Sequence, residues 1–277
     1  MQSLTLGYSP CPNDTFIFHA LTHGRVACEG HVFNELLEDV ETLNHLVLEK
    51  ALDISKISYH LLGFIRDDYC LLRSGGALGR GCGPLVVSGK LGHMSQLKGK
   101  RIAVPGRYTT AALLLRLFDP SLDNIVHMPF HEIMAAVADG SVDAGVIIHE
   151  SRFTYAGFGL VKLLDLGDWW ERETGHPIPL GGIVAKRSLG NQTLAAIERA
   201  LRSSVDYAFA HPDESNGYIR AHSQEMSDEV CSAHIKLYVN DFSLDLGVAG
   251  EAAVNALLTR AEETSLIPRS SCSLFLP

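Results

Sequence analysis

Short apolar segments alternate with helical patterns along the first third of the chain. Residues 4–8 and 32–37 predict β-strands, and apolar side chains at helical spacing predict a helix over residues 15–21 between them. The segment 9–14, which precedes this helix, carries two prolines. We expect it to be a turn, with an Asn or Asp side chain capping the helix that follows.

The same alternation continues to residue 87. A strand over residues 52–58 ends in polar side chains and is followed by a short helix over residues 59–65. Strands over residues 69–73 and 84–87 flank a loop, residues 74–83, that contains five glycines. We interpret this loop as a crossing between two structural units.

A second series of strands and helices begins at residue 100. Its pattern predicts a strand over residues 100–105, helices over residues 111–118 and 131–139, and a strand over residues 144–148. A second glycine-rich segment, residues 179–185, resembles the first and is expected to be a return crossing.

The rest of the chain is predicted to be mostly helical. The helical pattern extends from about residue 191 to residue 265, and Ser227 with two acidic residues after it indicates a helix start. Two α/β blocks joined by two crossings predict a two-lobed α/β fold with a cleft between the lobes. We place the larger lobe, with its helical tail, at residues 1–90 and 188–277, and the smaller lobe at residues 91–187.

Composition and charge narrow the possible partners. Of the 277 residues, 46% are hydrophobic and 20% are charged, and the formal net charge is -9. Nucleic acids and anionic membranes require a basic surface, so neither is expected as a partner. A small molecule is therefore the expected ligand. It could be anionic if basic side chains gather in the cleft. The sequence leaves open whether the chain is a monomer or a homodimer.

The cysteines and the start of the sequence indicate the cellular compartment in which the protein is expected. Six cysteines are scattered without a C-x-x-C pair, which removes the usual support for structural zinc or a redox dithiol. The first residues do not form an export signal, and no apolar stretch in the sequence approaches the roughly 20 residues needed to cross a bilayer. We therefore expect a cytoplasmic protein without disulfides.

Polar segments stand where predicted strands give way to helices or loops. In a parallel sheet these positions share the edge at which ligands bind. Four such segments occur, and we expect them to line the cleft: residues 9–14, 56–58, 109–111 and 149–152. The sequence therefore predicts one composite site built from both lobes.

The segment after residues 144–148 carries the strongest chemical signal. It places His149, Glu150 and Arg152 at the end of an apolar strand. Histidine has an unperturbed pKa near neutrality, so His149 is a candidate general base. Glu150 could orient the imidazole, and Arg152 could pair with Glu150 or with an acidic substrate. A strand-end histidine bonded to a neighbouring loop is the alternative interpretation.

The other polar segments have both a functional and a structural interpretation. Thr109 and Thr110 open a helix, where hydroxyl and N–H groups could hold a carboxylate, but they could equally act only as helix caps. Lys56 could neutralise an anionic ligand or simply lie exposed near a turn. Ser9 and Asn13 could contact a ligand or close their own turn.

Patterns typical of other chemistries are missing. The glycine-rich loop at residues 74–83 lacks the spacing of a P-loop, so nucleotide binding is not expected. The sequence contains no G-x-S-x-G elbow and no H-E-x-x-H motif, and Cys11 has no evident base partner. What remains is a proton-transfer site with an anion-binding helix start, and neither a metal nor a cofactor is expected.

Several long segments are similar to those of 1,4-dihydroxy-6-naphthoate synthases, which are enzymes of the futalosine route to menaquinone. The resemblance runs from the first strand to the last helices. Unbroken motifs of this length are far more specific than any short pattern. The matching segments are residues 9–16, 38–44, 72–80, 104–107, 148–155 and 210–212.

The resemblance implies a type 2 periplasmic-binding-protein fold in a cytoplasmic enzyme. It also implies a carbon–carbon lyase reaction, in which cyclic dehypoxanthinyl futalosine gives 1,4-dihydroxy-6-naphthoate and a small sugar-derived fragment. The family's proposed proton acceptor corresponds to His149. Its substrate-contact segments correspond to Lys56, Ile57, Ser58, Thr109 and Thr110, with Ala111 next along the chain.

Two other functions remain as alternatives. A solute-binding module of a transporter would share the fold without catalysing a reaction, since fold alone does not imply function. The sibling chorismate dehydratase of the same pathway also shares the fold. The missing export signal and the length of the matching motifs favour the naphthoate synthase over both.

Overall fold

The computed structural model describes residues 2–223 and 227–276, and its strands form two separate sheets. The first sheet has the strand order β2 (His31–Leu37), β1 (Gln2–Tyr8), β3 (Ile54–Ser58), β11 (Ile178–Lys186) and β4 (Tyr69–Leu71), with β5 (Ala77–Gly79) also paired to β11. The second sheet has the order β10 (Val161–Asp165), β6 (Leu85–Ser88), β9 (Ala144–Ile147), β7 (Ile102–Val104) and β8 (Ile125–His127).

Helices flank both sheets. In chain order they are α1 (Pro12–Thr22), α2 (Val40–Leu48), α3 (Tyr59–Ile65), α4 (Thr110–Phe118), α5 (Phe130–Asp139), α6 (Ser151–Thr154), α7 (Leu166–Thr174), α8 (Asn191–Ala210), α9 (Asn216–His222), α10 (Asp228–Tyr238), α11 (Asp241–Leu244) and α12 (Gly247–Glu263). The tail helices α8 and α10 pack against α1, which joins two strands of the first sheet. Within the described residues, no helix combines the length and the apolar character needed to cross a bilayer.

Each sheet combines a parallel set of strands with an antiparallel neighbour. β1 pairs in parallel with β2 and β3, and β7 pairs in parallel with β8 and β9. β11 runs antiparallel to β3, and β6 runs antiparallel to β9. Two mixed sheets with helices on them form two α/β lobes, so the predicted fold class is confirmed.

Two strands belong to the opposite lobe from the one expected from the sequence. β6 belongs to the second sheet and β11 to the first, whereas boundaries after residues 90 and 187 assign each strand to the other lobe. Residues 179–185 are therefore a strand of the first sheet and not a crossing. Their glycines serve packing, because a Cβ on Gly182 would lie 2.7 Å from the Leu71 side chain.

The helix α1 begins earlier than predicted. Cys11 is the N-cap residue, and Pro12 occupies the first helical position, where the missing N–H of proline would have no helical partner anyway. The second proline therefore starts the helix instead of excluding it. Asn13 and Asp14 consequently lie in the first turn, where both are buried.

Two strands of the second sheet were not predicted from the sequence. β8 and β10 form its two edges, and most of their residues are partly or fully exposed. An edge strand without a consistently buried face carries no clear alternation of apolar and polar residues, so its sequence gives little signal.

One apolar core continues beneath the cleft from the first lobe to the second. Ile57 and Tyr59 of the first lobe belong to the same buried cluster as Val104 and Leu113 of the second. This shared packing fixes β3, α3 and α4 relative to one another, and these elements carry most of the predicted ligand-binding segments.

Arg152 holds the first crossing against the second lobe. Its guanidinium donates to the carbonyl oxygens of Gly81, at 2.8 Å, and Gly83, and it pairs with the Asp165 carboxylate at 2.6 Å. That carboxylate also caps α7 by accepting two backbone N–H groups. The expectation that Arg152 pairs with Glu150 is therefore wrong, because its charge is used within the fold.

We expect Arg152→Ala to destabilise the protein instead of weakening substrate binding. Removing the guanidinium leaves the buried Asp165 carboxylate unpaired, which typically costs about 3–5 kcal/mol. Urea denaturation should show this loss in the free energy of unfolding. The matched control is Arg172→Ala, at an exposed residue of α7, which should change stability by less than about 0.5 kcal/mol. Equal stabilities of the two variants would contradict the structural role.

Candidate active site

Nine of the predicted site residues line a single cavity in the cleft. Its volume is about 80 Å³. The polar groups of four chain segments converge there, as the sequence predicts. The nine residues are Ser9, Asn13, Lys56, Ile57, Ser58, Thr109, Thr110, Ala111 and His149.

A second cavity of about 370 Å³ adjoins the first. Its lining includes Cys11, Asp39, Phe130 and Glu150, and His149 lines both cavities. The imidazole therefore lies where the two spaces meet. Arg152 lines neither cavity, so the structure separates it from the other predicted site residues.

The backbone at His149 turns sharply between β9 and α6. Its φ of 56° lies in the left-handed region, which is uncommon for a residue other than glycine and costs about 1–3 kcal/mol. β9 has already ended at Ile147, so the strict alternation of side chains on a strand no longer applies to His149 and Glu150. The turn brings both side chains to the second cavity.

Two aromatic rings enclose the His149 imidazole. The Phe130 ring centroid lies 5.2 Å away, and the His234 ring lies 6.0 Å away in a nearly parallel plane. Burial lowers the pKa of His149 from its ordinary value, although the carboxylates of Glu150 and Asp14 oppose this effect. The imidazole is therefore favoured in its neutral form, which is the form that accepts a proton.

Glu150 does not orient the imidazole through a hydrogen bond. Among the contacts of the described residues there is none between the two side chains, and the Glu150 Oε2 atom is shielded from solvent without any hydrogen-bond partner. A carboxylate oxygen of Glu150, the Cys11 Sγ atom and a His149 ring nitrogen nevertheless lie within 4.8 Å of one another. The influence of Glu150 on the imidazole is therefore electrostatic.

His234 is a residue of the site that sequence reasoning missed. It is fully buried on α10, and its Nε2 atom lies 2.9 Å from the Asn13 Oδ1 atom. Because Asn13 uses its Nδ2 group to donate to Asp14, its Oδ1 atom must accept, and Nε2 of His234 must carry the hydrogen. Burial lowers the pKa of His234 well below its usual value. No motif surrounds this histidine, and only the fold brings it next to His149.

The charge of Lys56 is paired inside the first lobe. Its ammonium lies 2.9 Å from the Asp14 carboxylate and donates to the Gly75 carbonyl oxygen at 3.1 Å. Ser9 donates to the same carboxylate at 2.7 Å. The alternative of an exposed lysine is wrong, since Lys56 is buried. The ion pair also means that Lys56 does not bring a free positive charge into the cavity.

The two threonines at the start of α4 act as caps and as links to the other lobe. The Thr109 hydroxyl accepts the Ala112 N–H at 3.2 Å, which is the predicted N-cap interaction. The Thr110 hydroxyl donates to the Leu180 carbonyl oxygen on β11 at 2.6 Å. Both hydroxyls are thus engaged by the protein, and the free N–H groups of the helix start are the remaining anion-binding feature.

Residues of α2 support the same region from the other side of the cleft. Asn44 accepts the Ser58 N–H at 3.0 Å and donates to the Ser58 hydroxyl oxygen at 3.2 Å. The Glu41 carboxylate accepts the Tyr108 N–H of the second lobe at 3.0 Å. These bonds leave the hydroxyl hydrogen of Ser58 available to a ligand.

The comparisons with known proteins point to the same family. The family model for menaquinone biosynthesis matches residues 4–263. A Thermus thermophilus protein named 1,4-dihydroxy-6-naphthoate synthase is 53% identical over 277 residues, covering all of both chains. A Streptomyces coelicolor protein of the same name is 48% identical, with 96% of this chain and 95% of the relative covered.

A solved structure supports the fold independently of sequence similarity. The alkanesulfonate-binding protein from Xanthomonas axonopodis pv. citri, bound to MOPS, superposes with a TM-score of 0.71 at 16% identity, covering 96% of this chain and 94% of that one. The similarity confirms the predicted periplasmic-binding-protein-like fold. Together with the family match, it leads to one assignment. The chain belongs to the menaquinone-biosynthesis family, together with the proteins named 1,4-dihydroxy-6-naphthoate synthase.

Proposed function

We propose that the protein is a carbon–carbon lyase that converts cyclic dehypoxanthinyl futalosine into 1,4-dihydroxy-6-naphthoate. The observation that carries the proposal is the position of the His149 imidazole at the junction of two cavities, where burial lowers its pKa. The names of the two full-length relatives supply the product.

The reaction requires one base and no net oxidation. His149 accepts the proton of a substrate hydroxyl, whose oxygen then forms a carbonyl as the adjacent carbon–carbon bond breaks in a retro-aldol step. The electrons of that bond move into the ring system, which becomes aromatic, and the sugar-derived fragment leaves as the carbonyl compound. Base catalysis of this kind typically contributes about 10²–10⁴-fold in rate. Aromatisation supplies the driving force.

The first cavity suits the aromatic half of such a substrate. Ile57, Val40 and Leu180 offer apolar surface to the rings. At one side the N-terminus of α4, with the N–H groups of Thr110 and Ala111, favours a carboxylate. Binding of a sulfonate-bearing buffer by a protein of this fold is consistent with an anionic ligand. A carboxylate held by a helix start does not require a free lysine.

We expect His149→Ala to lower kcat by about 10²–10⁴-fold, because the general base is removed. Turnover of purified cyclic dehypoxanthinyl futalosine, followed by release of the naphthoate, measures this loss. The matched control is His127→Ala, at an exposed histidine at the end of β8, which should keep wild-type kcat. Thermal melting of both variants separates lost chemistry from lost folding.

Three outcomes would contradict the proposed function. Full activity of the His149→Ala variant would remove the base assignment. Turnover of chorismate without turnover of the cyclic substrate would assign the sibling dehydratase reaction. Tight binding of the cyclic substrate with no turnover would favour a solute-binding role instead.

We expect the acid limb of the kcat/KM profile to lie below the ordinary histidine pKa of about 6.5. Burial lowers the pKa of His149, so the base stays unprotonated to a lower pH. The Glu150 carboxylate stabilises the protonated form, so Glu150→Gln should move the limb further to lower pH. Initial rates between about pH 4.5 and 8 test this direction. A limb that moves to higher pH would contradict the electrostatic role of Glu150.

A further inference from the structure

We propose that Cys11, His149 and Glu150 form an inhibitory binding site for a borderline-soft divalent cation of the Zn²⁺ class. The inhibition rests on the proposed function, because the cation would occupy the proposed base. The metal binding itself does not depend on that function and is tested separately.

The geometry of the three side chains fits a small cation. Their ligand atoms, one sulfur, one nitrogen and one oxygen, all lie within 4.8 Å of one another. Tetrahedral zinc bonds of about 2.0–2.3 Å place neighbouring ligand atoms roughly 3.5 Å apart. Small side-chain rotations of Glu150 and Cys11 are therefore enough to close the ligand set around an ion.

An unsatisfied oxygen points independently to a ligand. Oε2 of Glu150 is shielded from solvent and has no hydrogen-bond partner in the described part of the chain. An acceptor left in this state is unfavourable by about 1–3 kcal/mol, and more when it is charged. A bound cation would satisfy it without displacing any existing hydrogen bond of Glu150 to His149, since none is present.

Access and charge also favour a cation. Cys11, His149 and Glu150 all line the second cavity, whose lining includes Asp39 as well. Among the charged groups around the imidazole, the carboxylates of Glu150, Asp14 and Asp39 each favour positive charge and only Lys56 opposes it, whereas burial, the largest influence, disfavours an uncompensated charge. Because Lys56 is paired with Asp14, the net local charge is negative.

The donor set selects the class of metal. A thiolate, an imidazole and a carboxylate suit Zn²⁺ or Co²⁺, whereas Mg²⁺ and Ca²⁺ prefer oxygen ligands only. A bound metal ion would displace the proton of the Cys11 thiol, and that proton would pass to solvent. The metal would also occupy the imidazole lone pair that the proposed reaction uses, so the expected consequence is inhibition.

Titration of the chelator-treated, reduced protein with Co²⁺ tests the site directly, because thiolate coordination gives a charge-transfer absorption band. We expect a band that saturates at one Co²⁺ per chain and disappears when Zn²⁺ is added. Cys11→Ser should abolish the band. The control, Cys272→Ser, alters an exposed cysteine that does not line the cavity and should leave both the band and the activity unchanged.

Glu150→Gln supplies a second variant, in case Cys11→Ser fails to fold. Loss of a metal's outer-shell partner typically weakens binding about 10–100-fold, so loss of a direct ligand should weaken Co²⁺ binding at least tenfold. No band, a band that survives Cys11→Ser in the folded protein, or undiminished affinity of the Glu150→Gln variant would each overturn the site.

The inhibition has its own measurement. We expect Zn²⁺ to inhibit turnover of the wild-type enzyme over the same concentrations that displace Co²⁺. Zn²⁺ that displaces Co²⁺ without inhibiting would overturn the inhibitory role. If His149→Ala kept full activity while the cobalt band behaved as expected in the wild type, the proposed base would fail and the metal site would stand.

Discussion

The proposed chemistry depends on keeping one imidazole uncharged between two cavities. The carboxylates near His149 stabilise its charged form, but burial outweighs them, and the pKa falls. The backbone contributes by turning into the left-handed region at this residue, immediately after β9 and before α6. A strained turn persists only where the surrounding structure holds it, here through the packing of Phe130 and His234 around the ring.

A buried polar network makes that packing possible. Lys56, Asp14, Asn13 and His234 form a continuous chain of contacts from β3 to α10. These contacts fix the hydrogen of His234 on Nε2, so a second neutral ring faces the imidazole of His149. A buried network of this kind favours one arrangement of side chains, because breaking a link leaves a buried polar group without a partner.

Much of this could be predicted from the sequence. Apolar periodicity located most elements, and polar side chains at strand ends located nine residues of one cavity. Partnerships could not be predicted, because they join distant segments: Arg152 with Asp165, Lys56 with Asp14, and Asn13 with His234. The lobe boundaries were misplaced for a related reason, since the glycines of β11 serve packing against Leu71 and not a chain crossing.

The protonation state of His149 is measured most directly by an NMR titration of its imidazole, assigned by comparison with the His149→Ala variant. We expect a ring that is neutral at pH 7 and takes up its proton only below the ordinary histidine pKa of about 6.5. An imidazole that is already protonated at pH 7, or that titrates above the ordinary value, would contradict it.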